Sequence, residues 1–437
     1  MREDWVKTYL LNICDVLDNL RKPINTSERT KRVEGKPKHE LYPYYGATGQ
    51  VGYIDDYLTD GEYVLIGEDG APFLDYTKPV AYKINGKTWV NNHAHILKSF
   101  FNNDYLLHYL NQFQYRDYVT GTTRLKLTQG ALKKMPVKLA PLPIQRAIVT
   151  KIENLFTSLD KGIADLKKAQ EKLKVYRQAV LKKAFEGGLT NRNVKVGELP
   201  EGWQWVKIDT LIETEKNAIK AGPFGSSLKK EFYVTDGYKI YGQEQVIRGN
   251  PFYGDYYIDE QKYQELISCR VKPGDILISL VGTVGKVLVL PYNIKAGIIN
   301  PRLIKISLSK SKYDNKFFKY YFESSAVKSI YKINASGTTM DVLNIGIIKK
   351  IPFPLPSTLA EQHAIVRQIE SRLSVCDKIE QSITEGLEKS EALRQSILKK
   401  AFEGKLLSDS EIEKCKQEAD YEPASVLLER IKKEKKK

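Results

Sequence analysis

The sequence predicts a mixed α/β (α+β) protein in which two related α/β domains are joined by two long helices that pair as an antiparallel coiled coil. The first observation is an internal repeat: residues 145–187 lie without gaps on 362–404, and 19 of these 43 positions are identical. A repeat of about 200 residues is far longer than solenoid units of roughly 50. We therefore expect two domain-sized halves related by an internal pseudo-two-fold axis.

The second observation is a strand-and-turn pattern in residues 1–140 and 195–353, which are rich in Tyr, Val, Ile, Gly and Asn. Short apolar runs punctuated by glycine are typical of strands joined by turns. Weak parallels link the two regions: WVK at Trp5 matches WVK at Trp205, and YVLIG at Tyr63 resembles DILIS at Asp275. KKMP at residue 133 likewise matches KKIP at residue 349. We therefore predict two related domains with these bounds.

The third observation is a seven-residue apolar period in the helical regions, 141–190 and 354–407. Ile152, Leu159, Leu166, Leu173 and Val180 recur at this spacing, and the second copy places Ile369, Cys376, Ile383, Ser390 and Ile397 there. Prolines precede each region and glycines follow it, as helix boundaries require. Such a period favours a coiled-coil seam. The alternative is two separate amphipathic helices, each packed on its own domain.

The remaining segments connect or end these regions. A polar linker with Gly and Pro, NRNVKVGELPEG, joins the halves from Asn191. The tail, residues 408–437, is charged and contains a candidate amphipathic helix over 423–432.

The composition points to an anionic partner. The formal net charge is +16, and such an excess favours nucleic acid, although a basic protein can also be merely soluble. The chain has no apolar run near 18 residues, and its first residues lack a signal-peptide pattern, so we expect no membrane partner. Four scattered cysteines without a CxxC pair indicate a reducing, cytoplasmic location and no zinc site.

The sequence contains no complete catalytic motif. VGTVGKV at Val281 lacks the first glycine and the hydroxyl residue of a phosphate loop, so we interpret it as a turn between strands. His93 and His95 have no third metal ligand at suitable spacing and are interpreted as structural. We therefore expect no catalytic, cofactor or metal site in this chain.

The sequence does contain loops whose side chains are suited to binding a nucleic acid. Tyr, Thr, Ser, Asn, Gln, Arg and Lys side chains in glycine-bearing loops can contact phosphates and base edges, although each such loop can also be an ordinary turn. The candidate DNA contacts in the first domain are Tyr45, Thr48, Thr122, Thr123, Arg124 and Lys126. Those in the second are Ser226, Ser227, Lys229, Lys230, Gln243, Gln245, Asn300, Arg302, Thr338 and Thr339.

The chain resembles the specificity subunit of type I restriction-modification enzymes over essentially its full length. The resemblance rests on PLPIQRAIV and LAEQHAIV, on LKKAFEG at both helix ends, on LPEGWQWVKI, and on EPASVLLERIKKEK. It implies that each domain is a target recognition domain for one half of a split, asymmetric site on double-stranded DNA. It also implies that the helices separate the domains and dock two modification subunits, with restriction subunits completing the complex.

The resemblance further implies that catalysis and cofactors belong to partner subunits. S-adenosylmethionine, ATP and Mg are expected there, and none in this chain. The rival hypotheses are a structural adaptor with two ligand-binding bodies on a coiled coil and no DNA role, and an enzyme with an unrecognised motif.

The repeated helix ends are the candidate docking surface for the modification subunits. The candidate residues are Arg177, Lys182, Lys183, Phe185, Arg394, Lys399, Lys400 and Phe402. The identity extends to lysines that a helix seam alone does not require. Alternatively, these lysines stabilise helix C-termini through the helix dipole.

Overall fold

The chain forms two compact units, each containing one α/β domain and half of each long helix. The structure, a computed structural model, describes residues 2–191, 194–195, 198–309, 312–334 and 343–436. The first unit comprises residues 1–167 and 384–437, and the second comprises 168–383. The predicted fold class, two α/β domains with long helices that pack together, is confirmed.

The described residues of the first domain form ten strands and four short α-helices. The strands are β1 (Val6–Tyr9), β2 (Cys14–Val16), β3 (Tyr42–Gly46), β4 (Gly49–Ile54), β5 (Thr59–Asp60), β6 (Tyr63–Gly67), β7 (Ala81–Ile84), β8 (Lys87–Val90), β9 (Ala94–Ser99) and β10 (Pro136–Leu139). The helices are α1 (Leu10–Ile13), α2 (Thr26–Val33), α3 (Asn103–Gln112) and α4 (Gln129–Lys133). The long helix α5 (Leu142–Phe185) follows.

The second domain repeats this plan. Its strands are β11 (Gln204–Lys207), β12 (Ile219–Ala221), β13 (Tyr238–Tyr241), β14 (Tyr257–Ile258), β15 (Ile276–Ser279), β16 (Val287–Val289), β17 (Gly297–Ile299), β18 (Leu303–Ile306) and β19 (Pro352–Leu355). Its helices are α6 (Gln243–Arg248), α7 (Glu260–Glu265), α8 (Asn315–Phe322), α9 (Ser325–Asn334) and α10 (Ile345–Lys350). The segments after it are α11 (Leu359–Phe402), α12 (Asp409–Lys416) and α13 (Ala424–Glu434).

Strand order shows that the two domains are copies of one topology. In the first domain the sheets run β1-β10, β2-β9-β6-β7 and β4-β3-β8-β5. In the second they run β11-β19, β12-β18-β15-β16 and β14-β13-β17. Among the described strands, each domain has one parallel pair, β3 with β8 and β13 with β17. The VGTVGKV segment is the turn between β15 and β16, as expected from its sequence.

Strand pairing corrects one sequence parallel. Tyr9 pairs with Pro136 in the first domain, and Lys207 pairs with Pro352 at the corresponding place in the second. This register makes Trp5 equivalent to Trp203, two residues from the position that the WVK match indicates. Both of these tryptophans are buried, whereas Trp205 is 57% exposed. Pairing across the sheet therefore overrides local identity.

The long helices run antiparallel within each unit, and their seam is the predicted one. In the first unit Arg394 of α11 pairs with Asp160 of α5, and a Cβ at Gly386 would lie 3.2 Å from Leu166. In the second unit Arg177 of α5 pairs with Asp377 of α11 at 2.7 Å. The ten seam positions of the seven-residue period are buried or half-buried. The coiled-coil hypothesis is therefore confirmed in each half.

A buried glutamine joins the start of each long helix to its domain. Gln145 Oε1 accepts a hydrogen bond from the backbone N–H of Asn102, at 3.2 Å, and Gln362 Oε1 accepts one from the N–H of Asp314, at 2.9 Å. Asn102 and Asp314 are the N-cap residues of α3 and α8. The identity of this glutamine in the repeat is therefore explained by the fold.

The tail is part of the first unit. The predicted amphipathic helix is present as α13, and α12 precedes it. Ile412, Leu427 and Ile431 are buried in the same apolar core as Leu10 and Phe402. The tail helices therefore enlarge the first core. Within the described ranges, no helix is long and apolar enough to cross a bilayer.

Candidate nucleic-acid interface

The parallel strands of both domains end at an equivalent edge. Beyond β8 the N–H of Asn91 donates to the carbonyl oxygen of Tyr45 at 3.1 Å, and beyond β17 the N–H of Asn300 donates to that of Tyr241 at 2.8 Å. We call this the loop edge. It comprises residues 46–49, 68–70, 91–93 and 120–127 in the first domain, and 222–227, 242–245, 280–285 and 300–302 in the second.

The same asparagine turn shapes both loop edges. Asn91 Oδ1 accepts a hydrogen bond from the N–H of His93 at 2.8 Å, and Asn300 Oδ1 accepts one from the N–H of Arg302 at 3.0 Å. Such a turn holds the backbone two residues onward. His93 in the first domain and Arg302 in the second therefore occupy equivalent positions, although their side chains differ.

Glycine allows the loops of the second edge to touch. A Cβ on Gly222 would lie 1.9 Å from the carbonyl oxygen of Asn300, and one on Gly242 would lie 2.9 Å from the amide nitrogen of the same residue. Only a residue without a side chain fits such approaches. The β12, β13 and β17 loops are therefore brought together, and with them Gln243, whose amide donates to the carbonyl oxygen of Val281.

In the first domain a tight hairpin carries four predicted DNA contacts. Thr120 and Lys126 exchange two backbone hydrogen bonds, of 2.9 and 2.8 Å. Gly121 has φ +98°, and a Cβ there would lie 2.5 Å from the carbonyl oxygen of Arg124. The side chains of Thr122, Thr123, Arg124 and Lys126 are exposed on this hairpin.

Two carboxylates hold the basic residues of the hairpin. Lys126 Nζ lies 3.1 Å from Glu68, and Arg124 lies 3.0 Å from Asp69. Asp69 also contacts His93 Nδ1 at 2.6 Å. Both cations remain half-exposed or more, so a phosphate group can replace a carboxylate as their partner.

A buried network beneath the hairpin fixes its base. Asp18 contacts His95 Nδ1 at 2.7 Å, and His95 Nε2 contacts the carbonyl oxygen of Leu127 at 2.8 Å. Arg21 bridges Asp18 at 3.1 Å and Glu68 at 2.5 Å. Burial acts to raise the pKa of Asp18, but its bond with His95 and the charge of Arg21 hold that pKa below its usual range.

This network also tests the prediction about His95. Ligand atoms of Asp18, Glu68 and His95 lie within 4.8 Å of one another. The Arg21 guanidinium, bonded to both carboxylates, already supplies the positive charge that a metal ion would bring. His95 is completely buried. A structural role for this histidine therefore fits its surroundings.

The other predicted DNA contacts differ in accessibility. Tyr45 is half-buried and stacks on Tyr82, with ring centroids 5.8 Å apart. Exposed side chains are those of Thr48, Ser226, Ser227, Lys229, Lys230 and Arg302. Gln243 and Asn300 are half-buried. Thr338 and Thr339 lie outside the described residues.

The prediction for Gln245 is corrected. Its side chain is 2% exposed. Its Oε1 accepts a hydrogen bond from the N–H of Gly242 at 2.9 Å, and its Nε2 donates to the carbonyl oxygen of Tyr253 at 2.8 Å. Gln245 therefore shapes the start of α6 and has no surface for DNA.

Two exposed side chains at the loop edges are not among the predicted DNA contacts. His93 was interpreted as structural, yet its side chain is 39% exposed beside Arg124. Phe224 is 84% exposed next to the Gly225–Ser227 turn. Its position between Pro223 and Gly225 in AGPFGSS is the sequence signal, because a large apolar residue there has nothing local to pack against.

The docking prediction needs two corrections at the helix ends. Phe185 and Phe402 are 6% and 1% exposed, so they belong to the cores. Arg177 and Arg394 form the reciprocal ion pairs between α5 and α11, which explains their identity in the repeat. The two phenylalanine side chains are therefore not available to a partner, whereas docking by the two arginines, whose side chains are 24% and 25% exposed, stays a prediction.

The four lysines of the docking prediction remain exposed. They are Lys182, Lys183, Lys399 and Lys400. The helix ends themselves close on glycine: Gly187 has φ +78°, and the N–H of Gly188 donates to the carbonyl oxygen of Lys183 at 2.9 Å. This Schellman-type ending uses backbone atoms. Lys182 and Lys399 form ion pairs one helical turn along with Glu186 and Glu403, at 3.8 and 4.0 Å, and the helix dipole stays the alternative explanation for the four lysines.

Comparison with known proteins decides the family. The model of the type I restriction-modification DNA specificity domain matches residues 2–168 and 200–389. The chain belongs to this family. The two matches cover the two domains and the first part of the long helix that follows each of them, which agrees with the repeated topology.

Relatives named as type I specificity subunits are similar to most of the chain. A specificity subunit from Haemophilus influenzae is 30% identical over 394 residues, covering 86% of this chain and 88% of that protein. The EcoBI specificity subunit of Escherichia coli is 28% identical and covers 72% and 68%.

The fold agrees with two solved structures. A chain from a study of type I restriction-modification complex assembly has a TM-score of 0.67 at 18% identity, covering 93% and 99%. The HsdS subunit from Thermoanaerobacter tengcongensis has a TM-score of 0.55 at 18% identity, covering 93% and 98%.

Proposed function

We propose that each domain reads one half of a split, asymmetric site on double-stranded DNA through its loop edge. The observation that carries this proposal is one topology with two different sets of side chains. The asparagine turn is the same in both domains, while it presents His93 in one and Arg302 in the other. A shared scaffold with different loop chemistry suits two different half-sites.

Two readers add discrimination that one cannot supply. Each specific base pair contributes about 1–3 kcal/mol, and one loop edge reaches few base pairs. The net charge of +16 supplies the sequence-independent attraction to phosphates. Arg124 and Lys126 in the first domain, and Lys229 and Lys230 in the second, are the proposed phosphate contacts.

The helices hold the half-sites apart and dock two modification subunits. The reciprocal ion pairs of Arg177 and Arg394 give the helices two equivalent ends. Two copies of one partner need two equivalent surfaces, and the exposed lysine pairs at 182–183 and 399–400 provide them. Restriction subunits complete the complex.

Catalysis and cofactors belong to the partner subunits. S-adenosylmethionine, ATP and Mg bind there, and this chain contributes DNA recognition. The sequence carries no phosphate loop, which supports this division. An adaptor without a DNA role is disfavoured by membership of the DNA specificity family.

The proposal is tested by exchanging one domain. Residues 195–353 are replaced by the corresponding region of another family member, and methylated sites are mapped genome-wide with the modification subunits present. One half-site should change and the other should persist. The reverse exchange of residues 1–140 is the matched control. A change in both halves after either exchange would contradict separate reading.

The spacing role is tested by lengthening both helices at one level. Four residues are inserted after Leu166 and four after Glu385, because Leu166 packs against Gly386. The insertion adds about 6 Å at 1.5 Å per residue. The preferred spacer should then grow by one or two base pairs of roughly 3.4 Å. An unchanged spacer in a folded protein would refute the role.

The absence of catalysis is tested on the purified chain. Labelled S-adenosylmethionine and duplex DNA are supplied with and without the modification subunit. Methyl transfer should require that subunit. Transfer by the chain alone would place the activity here and overturn this part of the proposal.

A further inference from the structure

A basic cleft lies in the second domain, between the β12–β18 edge of its sheet and the segment 267–272. Its volume is about 550 Å³, within the range of small-ligand sites. Five cations line it: Lys216, Lys220, Arg270, Lys272 and Lys305. Glu215 is the acidic residue of the lining and pairs with Lys272 at 2.5 Å and Arg270 at 3.6 Å.

Lys305 distinguishes this cleft from an ordinary basic surface. Lys305 as a whole is 3% exposed, and its side chain alone is 4% exposed. Within the described part of the chain, no acceptor lies within hydrogen-bond distance of its ammonium, and Asp275 Oδ2 is 3.8 Å away. Burial lowers the pKa of Lys305, and the charge of Asp275 offsets that only in part.

Asp275 is already committed to other partners. Its Oδ1 accepts a hydrogen bond from the hydroxyl of Ser307 at 2.6 Å. Its Oδ2 accepts one from the backbone N–H of Lys272 at 2.8 Å. The carboxylate therefore fixes the wall of the cleft. Asp275 balances the charge of Lys305, but no hydrogen bond joins the two side chains, so the ammonium of Lys305 keeps N–H donors for an anion in the cleft.

The fold itself does not require lysine here. In the second domain Lys220 pairs with Lys305, which pairs with Leu277. By strand register the equivalents of the two lysines in the first domain are Leu17 and Ile96, because Ile96 pairs with Leu65 there. Both equivalents belong to an apolar cluster. The second domain thus places two cations where the same topology accepts apolar side chains.

We propose that this cleft is a phosphate-binding site in which Lys305, Lys220 and Arg270 hold a phosphate group. The group comes either from the DNA backbone or from a free phosphate compound such as a nucleotide. Charge-assisted bonds to phosphate suit these side chains. The DNA source rests on the proposed DNA-reading function, whereas the free source does not.

The test uses the full chain and the substitution Lys305→Ile, which installs the residue found at the equivalent position of the first domain. Lys305→Ile leaves the buried Asp275 carboxylate without the ammonium 3.8 Å away, so its Tm is measured first and binding is compared at a temperature at which the variant is folded. Pyrophosphate is the probe, and its Kd is measured by isothermal titration. Wild type should bind, and Lys305→Ile should weaken binding about 10–100-fold, as expected for charged hydrogen bonds.

Two further variants distinguish binding in the cleft from a general effect of charge. Lys220→Leu should also weaken pyrophosphate binding, because its equivalent in the first domain is leucine. Lys207→Gln removes an exposed lysine from β11, outside the cleft, and should leave binding unchanged. Equal losses in Lys207→Gln and Lys305→Ile would mean a general charge effect and would overturn the site.

The source of the phosphate is settled with a random-sequence duplex in a potassium chloride series. If the DNA backbone enters the cleft, Lys305→Ile should lower the slope of log affinity against log salt by about one unit. If the ligand is a free phosphate compound, pyrophosphate binding is lost while the slope stays. The proposal is overturned when folded Lys305→Ile matches wild type in both measurements. A wild-type chain that binds pyrophosphate but no duplex would refute DNA reading alone.

Discussion

The buried glutamines at the starts of the long helices offer a matched perturbation of the two units. Gln145→Leu nearly keeps the side-chain volume and removes both hydrogen bonds of the amide. The backbone N–H of Asn102 and the carbonyl oxygen of Ala140, which accepts from Gln145 Nε2 at 2.6 Å, lose their partner. Each buried unsatisfied group costs about 1–3 kcal/mol. We expect the first unit to lose roughly 2–6 kcal/mol of unfolding free energy.

The second unit provides the mirror experiment. Gln362→Leu frees the N–H of Asp314 and the carbonyl oxygen of Lys312, so a loss of similar size is expected there. Gln368→Leu, at an exposed position of α11, is the control for adding a leucine to a long helix. It should change little.

Hydrogen exchange followed by mass spectrometry separates the two units. Gln145→Leu should speed exchange in α3 and β10 and leave α8 protected, and Gln362→Leu should do the reverse. With a urea m-value of about 2–3 kcal/mol/M, the midpoint of the affected unit should fall by about 1–3 M. Equal loss of protection in both units after either change, or no loss at all, would refute the clamp interpretation.

Three further outcomes are expected. Gly121→Ala forces an unfavourable φ and a contact with a carbonyl oxygen, so it should cost about 1–3 kcal/mol locally and weaken duplex binding in anisotropy titrations; wild-type affinity would show that the hairpin does not contact DNA. Phe402→Ala should destabilise the first unit by about 3–5 kcal/mol in urea unfolding. A double alanine variant of Lys399 and Lys400 should keep its stability and bind one modification subunit instead of two in quantitative pull-downs. Folding lowers the pKa of Asp18. Its carboxylate therefore contributes stability above its usual pKa near 4, and this contribution is lost as pH falls through the lowered value. Asp18→Asn should flatten the dependence of stability on pH between pH 5 and 3, and an unchanged dependence would assign the acid sensitivity to other groups.

The helical architecture followed from the sequence because its signals are local. A seven-residue period requires one buried stripe on a helix, and proline and glycine mark the ends of that stripe. The repeat then implied two copies of one domain, and the strand order confirms them. Loop residues such as Arg124 and Arg302 were identified by residue type and glycine context, and both are exposed at the loop edges.

The tertiary structure decided which identical residues face inward. Phe185 and Phe402 resembled surface candidates until aromatic partners distant in sequence, such as Phe317 and Tyr105, enclosed them. Arg177 and Arg394 form ion pairs with carboxylates on the opposite long helix. Gln245 turned inward to bond its own helix start. Such outcomes depend on partners that no local pattern encodes.

Register and burial of charge were also beyond the sequence. The WVK match placed Trp5 on Trp205, and only the pairing of β1 with β10 and of β11 with β19 showed Trp203 to be the equivalent. Lys305 resembled any lysine of a basic chain until strand pairing put it at a position that is apolar in the first domain. The sequence determines local periodicity and repeat, because these depend on neighbours along the chain. Only tertiary structure decides which charges lose water, because that depends on strands brought together from distant positions.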